Sequence, residues 1–234
     1  MYIDWTYVVL ILPAVLLSLW ASRRVDSTFR KYQQQYNYRG MTGAQAARYV
    51  LDRNGLSSIR IEHISGNLTD HFDPKDNVIR LSDGVYNSSS SAAVGVACHE
   101  AGHAIQHSVN YLPIRIRTAI IPITNFGSKL AMPLILIGLL LSSFSPVFSW
   151  FTDAGIICFG LCTLFQLVTL PTEFDASRRA VQCIESGNLL SGEELAGAKK
   201  VLSAAALTYV AALAVSLAQL LRFIILFGNR RDDN

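Results

Sequence analysis

Residues 92–107 read AAVGVACHEAGHAIQH and contain the pattern H-E-x-x-H at His99-Glu100-Ala101-Gly102-His103. The residues around the pattern are small and apolar and favour a helix over a turn. In a helix, residues four apart lie on one face, about 6 Å apart along the axis. The two imidazoles can therefore bind one Zn²⁺, with Glu100 beside it to take a proton from the metal-bound water. A surface helix with two unrelated histidines is the alternative.

The composition of the chain is that of a membrane protein. Of its 234 residues, 51% are hydrophobic and only 16% are charged, whereas ordinary soluble domains contain about 25% charged residues. The mean hydropathy is +0.32. The net charge of +3 does not indicate nucleic-acid binding. The four cysteines follow neither a zinc-ribbon nor a disulfide pattern, so we interpret them as reduced packing residues, although Cys98 could tune a site at His99.

Four apolar runs predict transmembrane helices, at about 5–21, 129–148, 152–170 and 203–227. The first run could instead be a cleavable signal peptide, but Asp4 occupies a position where basic residues are expected. No small-residue cleavage site precedes Arg23, which also favours an uncleaved anchor. The fourth run could be a buried or interfacial helix, because it is rich in alanine and contains Gln219 and Arg222.

The distribution of lysine and arginine predicts the orientation of the chain in the membrane. Of these 20 residues, twelve lie between the first and second predicted spans and four between the third and fourth. Because cytoplasmic loops are enriched in lysine and arginine, both larger loops are predicted to face the cytoplasm. Arg230 and Arg231 conflict with this prediction, since an even number of spans places the C-terminus outside. The expected cytoplasmic parts are 23–117 and 171–200, within a single domain, 1–234.

The first large loop predicts a small α+β part. The predicted elements are a helix over 42–54, strands over 59–64 and 77–81, and the motif helix from about residue 92. Thr42 is suited to cap the first helix and Gly55 to end it, and the serines Ser88–Ser91 can cap the motif helix. The predicted fold class is therefore mainly α and membrane-embedded, with about four transmembrane helices and a small cytoplasmic α+β part.

A third metal ligand is expected outside the motif, because catalytic zinc sites usually have three protein ligands and one open position. Glu173 is the strongest candidate, since it follows the third span at Pro171, a residue well suited to start a helix. The second and third spans form a predicted hairpin that leaves the cytoplasmic side near the motif helix and returns there. Glu173 can therefore reach the same metal. An N-terminal acid favoured by the helix dipole is the alternative.

Two further histidines have open interpretations. His107 continues the four-residue spacing of His99 and His103, so it is either an alternative or supporting ligand or, as we prefer, a helix-end histidine near the interface. His71 lies between the two predicted strands and is the best candidate for a donor to the oxyanion. A histidine that caps Asp70 or Asp73 in a turn is at least as compatible with that position.

The motif, the hairpin and the later segment EFDASRRA at 173–180 resemble the YugP-type neutral zinc metallopeptidases of bacterial membranes. The resemblance covers most of the chain, including LTDHFDP at 68–74. More distantly, the order resembles the HtpX and CAAX-prenyl-protease type of gluzincin, in which a Glu on a later helix is the third ligand, here Glu173. In that pattern an Asp four residues after the Glu supports a ligand histidine. This position is Ser177 here, so the support is expected from Ser177 or Asp175.

The resemblance implies a membrane-bound zinc metalloendopeptidase with one Zn²⁺ on His99, His103 and Glu173, and Glu100 as general base. The expected substrate is a peptide or membrane-protein segment, bound in extended form to an exposed strand in the setting of a lipid bilayer. A non-catalytic membrane scaffold is the alternative, although structural zinc sites are usually closed by four Cys or His ligands. A transporter is disfavoured, because the predicted spans contain few polar residues.

Overall fold

The computed structural model describes residues 4–228. Within this range it contains six α-helices and three β-strands. They are α1 (Leu12–Gln33, after a π-helical turn at Tyr7–Ile11), α2 (Gly43–Arg53), β1 (Arg60–His63), β2 (His71–Asp73), β3 (Val78–Leu81), α3 (Ser91–Ser108), α4 (Leu112–Ser142), α5 (Ser149–Ser186, after a 3₁₀ turn at Pro146–Phe148) and α6 (Gly192–Gly228). The predicted fold class, mainly α with a short sheet, is confirmed. Arg230 and Arg231 lie outside the described residues.

The chain forms two compact units. The described residues of Met1–Trp20, Ile116–Leu170 and Tyr209–Asn234 make up the first, which we name the helical unit. The second comprises Ala21–Arg115 and Pro171–Thr208 and is named the mixed unit. The organisation as a single domain, 1–234, stays a prediction.

Four helical segments in the described range are long and apolar enough to cross a membrane, as predicted. They are Tyr7–Gln33, Leu112–Ser142, Pro146–Ser186 and Gly192–Gly228. Each extends beyond the apolar run that predicted it at one end at least, because polar residues continue the same helix. The predicted end of the second span at residue 148 is wrong, since α4 ends at Ser142 and a turn follows.

The helical unit accommodates a charge in the fourth apolar helix. Arg222 on α6 donates from a guanidinium nitrogen to Oδ2 of Asp4 over 2.8 Å, and its guanidinium lies over the Tyr7 ring. A paired cation is compatible with a membrane-spanning helix, whereas an unpaired one is costly. Arg222 is therefore no argument against the fourth span.

Small residues join α4 and α5 into the predicted hairpin. A Cβ atom on Gly155 of α5 would lie only 2.7 Å from the carbonyl oxygen of Ala131 on α4. Such close backbone approach is typical of packed membrane helices, in which small residues allow van der Waals contact along the backbones.

The sheet of the mixed unit has the strand order β1-β3-β2. β1 pairs with β3 in parallel, and β2 pairs with β3 antiparallel, with Phe72 opposite Ile79. The expectation of only two strands was therefore incomplete, because β2 has three residues and directly precedes a Pro-containing turn. Asp70 fixes the start of β2, since its carboxylate accepts hydrogen bonds from the backbone N–H and the hydroxyl of Ser82 over 2.7 and 3.0 Å.

The helix boundaries of the mixed unit follow its capping residues. Thr42 and Gln45 form a reciprocal capping box at the start of α2, and Gly55 with φ +72° follows its end. Ser90 caps α3 by accepting a hydrogen bond from the Ala93 N–H over 3.1 Å. These predicted starts are confirmed.

Helix α3 lies in the centre of the mixed-unit core. Its small residues are buried against apolar side chains from α2, the sheet, the end of α5 and the start of α6. Fourteen of its 18 residues are buried. This explains why half of the residues of α3 are alanine, glycine or valine, since larger side chains have no space among the surrounding elements.

Candidate metal centre

Three side chains with metal-binding atoms converge in the mixed unit. Nε2 of His99 and Nε2 of His103, both on α3, lie 3.3 and 3.4 Å from Oε2 of Glu173 on α5. The two imidazole rings are 4.7 Å apart between centroids and nearly perpendicular. Glu173 is 3% exposed, so its carboxylate has almost no access to bulk water. The structure therefore brings together the three residues that the sequence predicted as ligands.

Helix α5 carries Glu173 into this position as part of a continuous helix. The prediction that a helix starts at Pro171 is wrong, because α5 begins at Ser149 and passes through Pro171. A proline inside a helix removes one N–H donor and its ring crowds the carbonyl group one turn earlier, but such prolines are tolerated in apolar helices whose neighbours supply partners for the freed groups. Glu173 is thus held by the whole of α5 and is not an acid in a first turn.

The donor set fits a tetrahedral zinc ion. Ligand atoms bound about 2 Å from a tetrahedral zinc are roughly 3.3 Å apart, which agrees with the distances from Glu173 to the two histidines. All three ligand atoms lie within 4.8 Å of one another. Two imidazoles and one carboxylate leave the fourth position for water or substrate, as in catalytic sites.

The charges around His103 favour a cation. Burial alone would lower the pKa of His103, but the carboxylates of Glu173 and Glu100 outweigh burial and raise it. An imidazole with a raised pKa indicates an excess of negative charge around it. A divalent cation at this point would neutralise that excess.

Ser177 supports the first histidine. Its Oγ lies 3.1 Å from Nδ1 of His99, the ring nitrogen on the opposite side from Glu173. A hydrogen bond at Nδ1 fixes the ring and leaves Nε2 for a metal. Ser177 lies four residues after Glu173, the position from which sequence analysis expected support for a histidine, and the hydrogen bond agrees with that expectation.

Gln106 supports the second histidine and was missed in the sequence. Its Oε1 lies 3.0 Å from Nδ1 of His103. Its amide nitrogen donates to the Thr172 carbonyl over 2.7 Å and to Oδ2 of Asp175 over 3.0 Å. Asp175 therefore acts on His103 only through Gln106. The available signal was the position of Gln106 one helical turn after His103, in an otherwise apolar segment.

Asp175 is the centre of a small charge cluster. Arg178 and Arg179, one turn later on α5, donate to its two carboxylate oxygens. The Arg179 guanidinium also lies 5.7 Å from the centroid of the Tyr111 ring. The buried Asp175 carboxylate thus has paired charges, which makes it a stable anchor for Gln106.

Glu100 lies beside the cluster but is not part of the ligand set. It is 8% exposed, and its Oε2 accepts a hydrogen bond from the backbone N–H of Phe72 over 3.0 Å. Phe72 belongs to β2, which has no second strand partner among the described residues. The strand that sequence analysis missed therefore orients the residue expected to be the general base.

The remaining candidates lie apart from the ligand atoms. His107 is exposed, and its ring contacts the Phe72 ring in an edge-to-face arrangement, which agrees with a helix-end histidine. His71 is exposed and its Nδ1 lies 2.8 Å from the Thr69 carbonyl, so it makes a turn contact, although not to Asp70. Cys98 is fully buried, and burial raises the pKa of its thiol, as expected for a packing residue.

Comparison with known proteins gives the family of the chain. Residues 7–228 match a family model described as "Putative neutral zinc metallopeptidase". The chain is 47% identical over 228 residues to "Putative membrane protease YugP" of Bacillus subtilis (strain 168), covering 97% of this chain and 99% of that protein. No solved structure matches the chain. The protein is therefore a membrane-type member of the neutral zinc metallopeptidase family that this model describes.

Proposed function

We propose that the protein is a zinc metalloendopeptidase of the bacterial plasma membrane, with its active site on the cytoplasmic side. The observation that carries the proposal is the convergence of His99, His103 and Glu173 beside a buried carboxylate that is not a ligand. A structural site would use that fourth group or another Cys or His to close the coordination shell. A separate acid next to an open position is the arrangement required for hydrolysis.

The metal and Glu100 have separate roles in the proposed hydrolysis. A zinc ion held by these three residues would supply a Lewis acid that lowers the pKa of a water molecule and polarises a carbonyl group. Glu100 accepts the proton of the attacking water and returns it to the leaving amine. The Phe72 N–H holds one oxygen of Glu100, so the other oxygen is left for this proton.

The edge of β2 supports the proposed substrate class. Among residues 4–228, β2 pairs with β3 along one edge only, and the Phe72 N–H on its other side faces Glu100. An extended peptide can add to such an edge through backbone hydrogen bonds, which demand little of the side-chain sequence. We therefore expect a peptide or an extended segment of a membrane protein as substrate.

The test compares metal content and turnover in purified full-length variants. E100Q keeps an oxygen that accepts from Phe72, so it is expected to retain zinc while casein cleavage falls by about 10²- to 10⁴-fold. E173Q is expected to lose both zinc and cleavage. E185Q is the matched control, because Glu185 lies on the same helix but forms an exposed ion pair with Lys199.

Two results would contradict the proposal. Wild-type rates in E100Q and E173Q would exclude the proposed mechanism. A wild-type protein that binds zinc tightly but cleaves neither casein nor membrane-protein substrates would instead favour the scaffold.

A further inference from the structure

A basic cleft lies in the mixed unit between the later part of α1 and the first turns of α6. It has a volume of about 400 Å³. Three cations line it, Arg24 and Lys31 from α1 and Lys200 from α6, together with the hydroxyls of Ser27 and Ser203. None of these residues belongs to the metal centre.

The ammonium groups in the cleft are gathered around one aromatic ring. Nζ of Lys31 and Nζ of Lys200 lie 5.5 and 5.8 Å from the centroid of the Tyr32 ring, which is itself buried. Within residues 4–228 neither lysine forms an ion pair with a carboxylate, whereas the neighbouring Lys199 pairs with Glu185 over 2.7 Å. Two like charges held near one ring repel each other, and an anion between them would remove that repulsion.

The hydroxyls complete an anion-binding donor set. Ser27 Oγ and Ser203 Oγ each donate to a carbonyl oxygen of their own helix, one turn earlier. A hydroxyl can rotate away from such a carbonyl and donate to a stronger acceptor, because a phosphate oxygen carries negative charge. The cleft thus offers ammonium, guanidinium and hydroxyl donors together.

The position of the cleft along the chain relates it to the membrane. Arg24 follows the first predicted span, 5–21, by three residues, and Leu207, which also lines the cleft, lies within the fourth, 203–227. The cleft therefore joins the basic end of one apolar segment to the beginning of another. Ala204 and Leu207 give it an apolar side. Basic pockets at the ends of membrane helices bind the head groups of anionic lipids.

We propose that this cleft binds the head-group phosphate of an anionic phospholipid. Lys31 and Lys200 contact the phosphate oxygens beside the Tyr32 ring, Arg24 contacts them from the membrane end, and the acyl chains leave along Leu207. The lipid would link α1 to α6 and is independent of peptide hydrolysis.

The experiment measures binding of short-chain lipids to the purified full-length protein in neutral detergent by native mass spectrometry. The probes are short-chain phosphatidylglycerol, phosphatidylcholine of equal chain length, and inorganic phosphate. The test variant is R24Q/K31Q/K200Q. The control variant, R23Q/R30Q/K199Q, removes the same number of charges at adjacent positions that do not line the cleft.

Phosphatidylglycerol is expected to bind the wild type at least about tenfold more tightly than phosphatidylcholine, and the test variant should lose this preference while the control keeps it. Equal loss in both variants would overturn the proposal, because it would show only general surface attraction. Displacement of phosphatidylglycerol by an equal concentration of inorganic phosphate would also overturn it, since the cleft would then be a site for free phosphate. Equal binding of the two lipids by the wild type would overturn it as well.

Discussion

Gly102 lies against Ala176 so closely that a Cβ atom on Gly102 would be 2.6 Å from the Ala176 carbonyl oxygen. Real side chains do not approach a backbone oxygen this closely, so only glycine permits the observed spacing of α3 and α5. Gly102 precedes the proposed ligand His103, and Ala176 lies one helical turn after the proposed ligand Glu173, on the same face of α5. The distance between α3 and α5 therefore sets the distance between His103 and Glu173.

Gly102→Ala is expected to weaken zinc binding by about 10- to 100-fold, the range seen when support for metal ligands is lost. The added methyl must push α5 away from α3, and Glu173 moves with it. Overpacking of this kind also destabilises proteins by about 1–3 kcal/mol. Competition with a chelator measures the affinity, and thermal unfolding of the metal-free protein measures the stability.

Gly95→Ala is the matched control on the same helix. Its Cβ atom would meet the side chain of Ala198 on α6 at 3.2 Å and would leave α5 untouched. We expect zinc affinity within about twofold of wild type for this variant, even where its stability changes. Unchanged zinc affinity in Gly102→Ala would show that the spacing of α3 and α5 does not set the metal site.

Gln106→Met tests the link from His103 to Asp175. Methionine has a similar length but cannot accept from the His103 ring or donate to Asp175, so the imidazole loses its fixed orientation. We expect zinc affinity to fall by about 10- to 100-fold. Ser177→Ala removes the corresponding partner of His99, but His99 and Ser177 are only partly buried and water can replace the hydroxyl. Its effect should therefore be smaller, and the reverse order of the two effects would contradict this account.

The parts of the fold that local chemistry determines were predictable. Thr42, Ser90 and Gly55 end or begin helices through bonds to their own neighbours, so their sequence context is sufficient. The four-residue spacing of His99 and His103 likewise places both side chains on one face of a helix. The prediction of Glu173 as a ligand required an additional step, because the membrane hairpin between the motif and Glu173 determines whether they lie close together.

The parts that depend on distant contacts were not predictable. β2 is a strand because it pairs with β3, and its three residues carry no periodic signal of their own. The role of Gln106 depends on two α5 residues that lie 66 and 69 positions later. Pro171 was predicted to start a helix because proline is common at that position. In the structure it lies inside α5, which begins at Ser149.

Asp70 gives the mixed unit a defined pH dependence. Burial raises the pKa of its carboxyl group, although the hydrogen bonds from Ser82 oppose this shift. An acid with a raised pKa in the folded state stabilises the fold below its ordinary pKa of 3.8 and loses that contribution as the pH rises through the folded-state value. Relative to Asp70→Asn, which does not titrate, the wild type should therefore be most stable near pH 4.

The measurement is the Tm of both proteins in detergent between pH 4 and pH 8. The difference in Tm, wild type minus Asp70→Asn, is expected to decrease as the pH rises and then to level off. A difference that grows with pH would mean that the Ser82 hydrogen bonds outweigh burial. A constant difference would mean that the Asp70 pKa is not shifted by folding.

The proposed orientation predicts which exposed positions can be labelled from outside the cell. Lys75 lies in the turn between β2 and β3, and Ser143 follows α4 in the hairpin turn. Cysteine is placed at either position in a protein that retains Cys98, whose burial and raised pKa make it unreactive, and lacks the other three native cysteines. A membrane-impermeant maleimide should label S143C in intact cells and K75C only after permeabilisation, because lysine- and arginine-rich loops remain in the cytoplasm. The opposite pattern would place the metal centre outside the cell and would remove cytoplasmic peptides from its substrates, while the geometry of His99, His103 and Glu173 would stand.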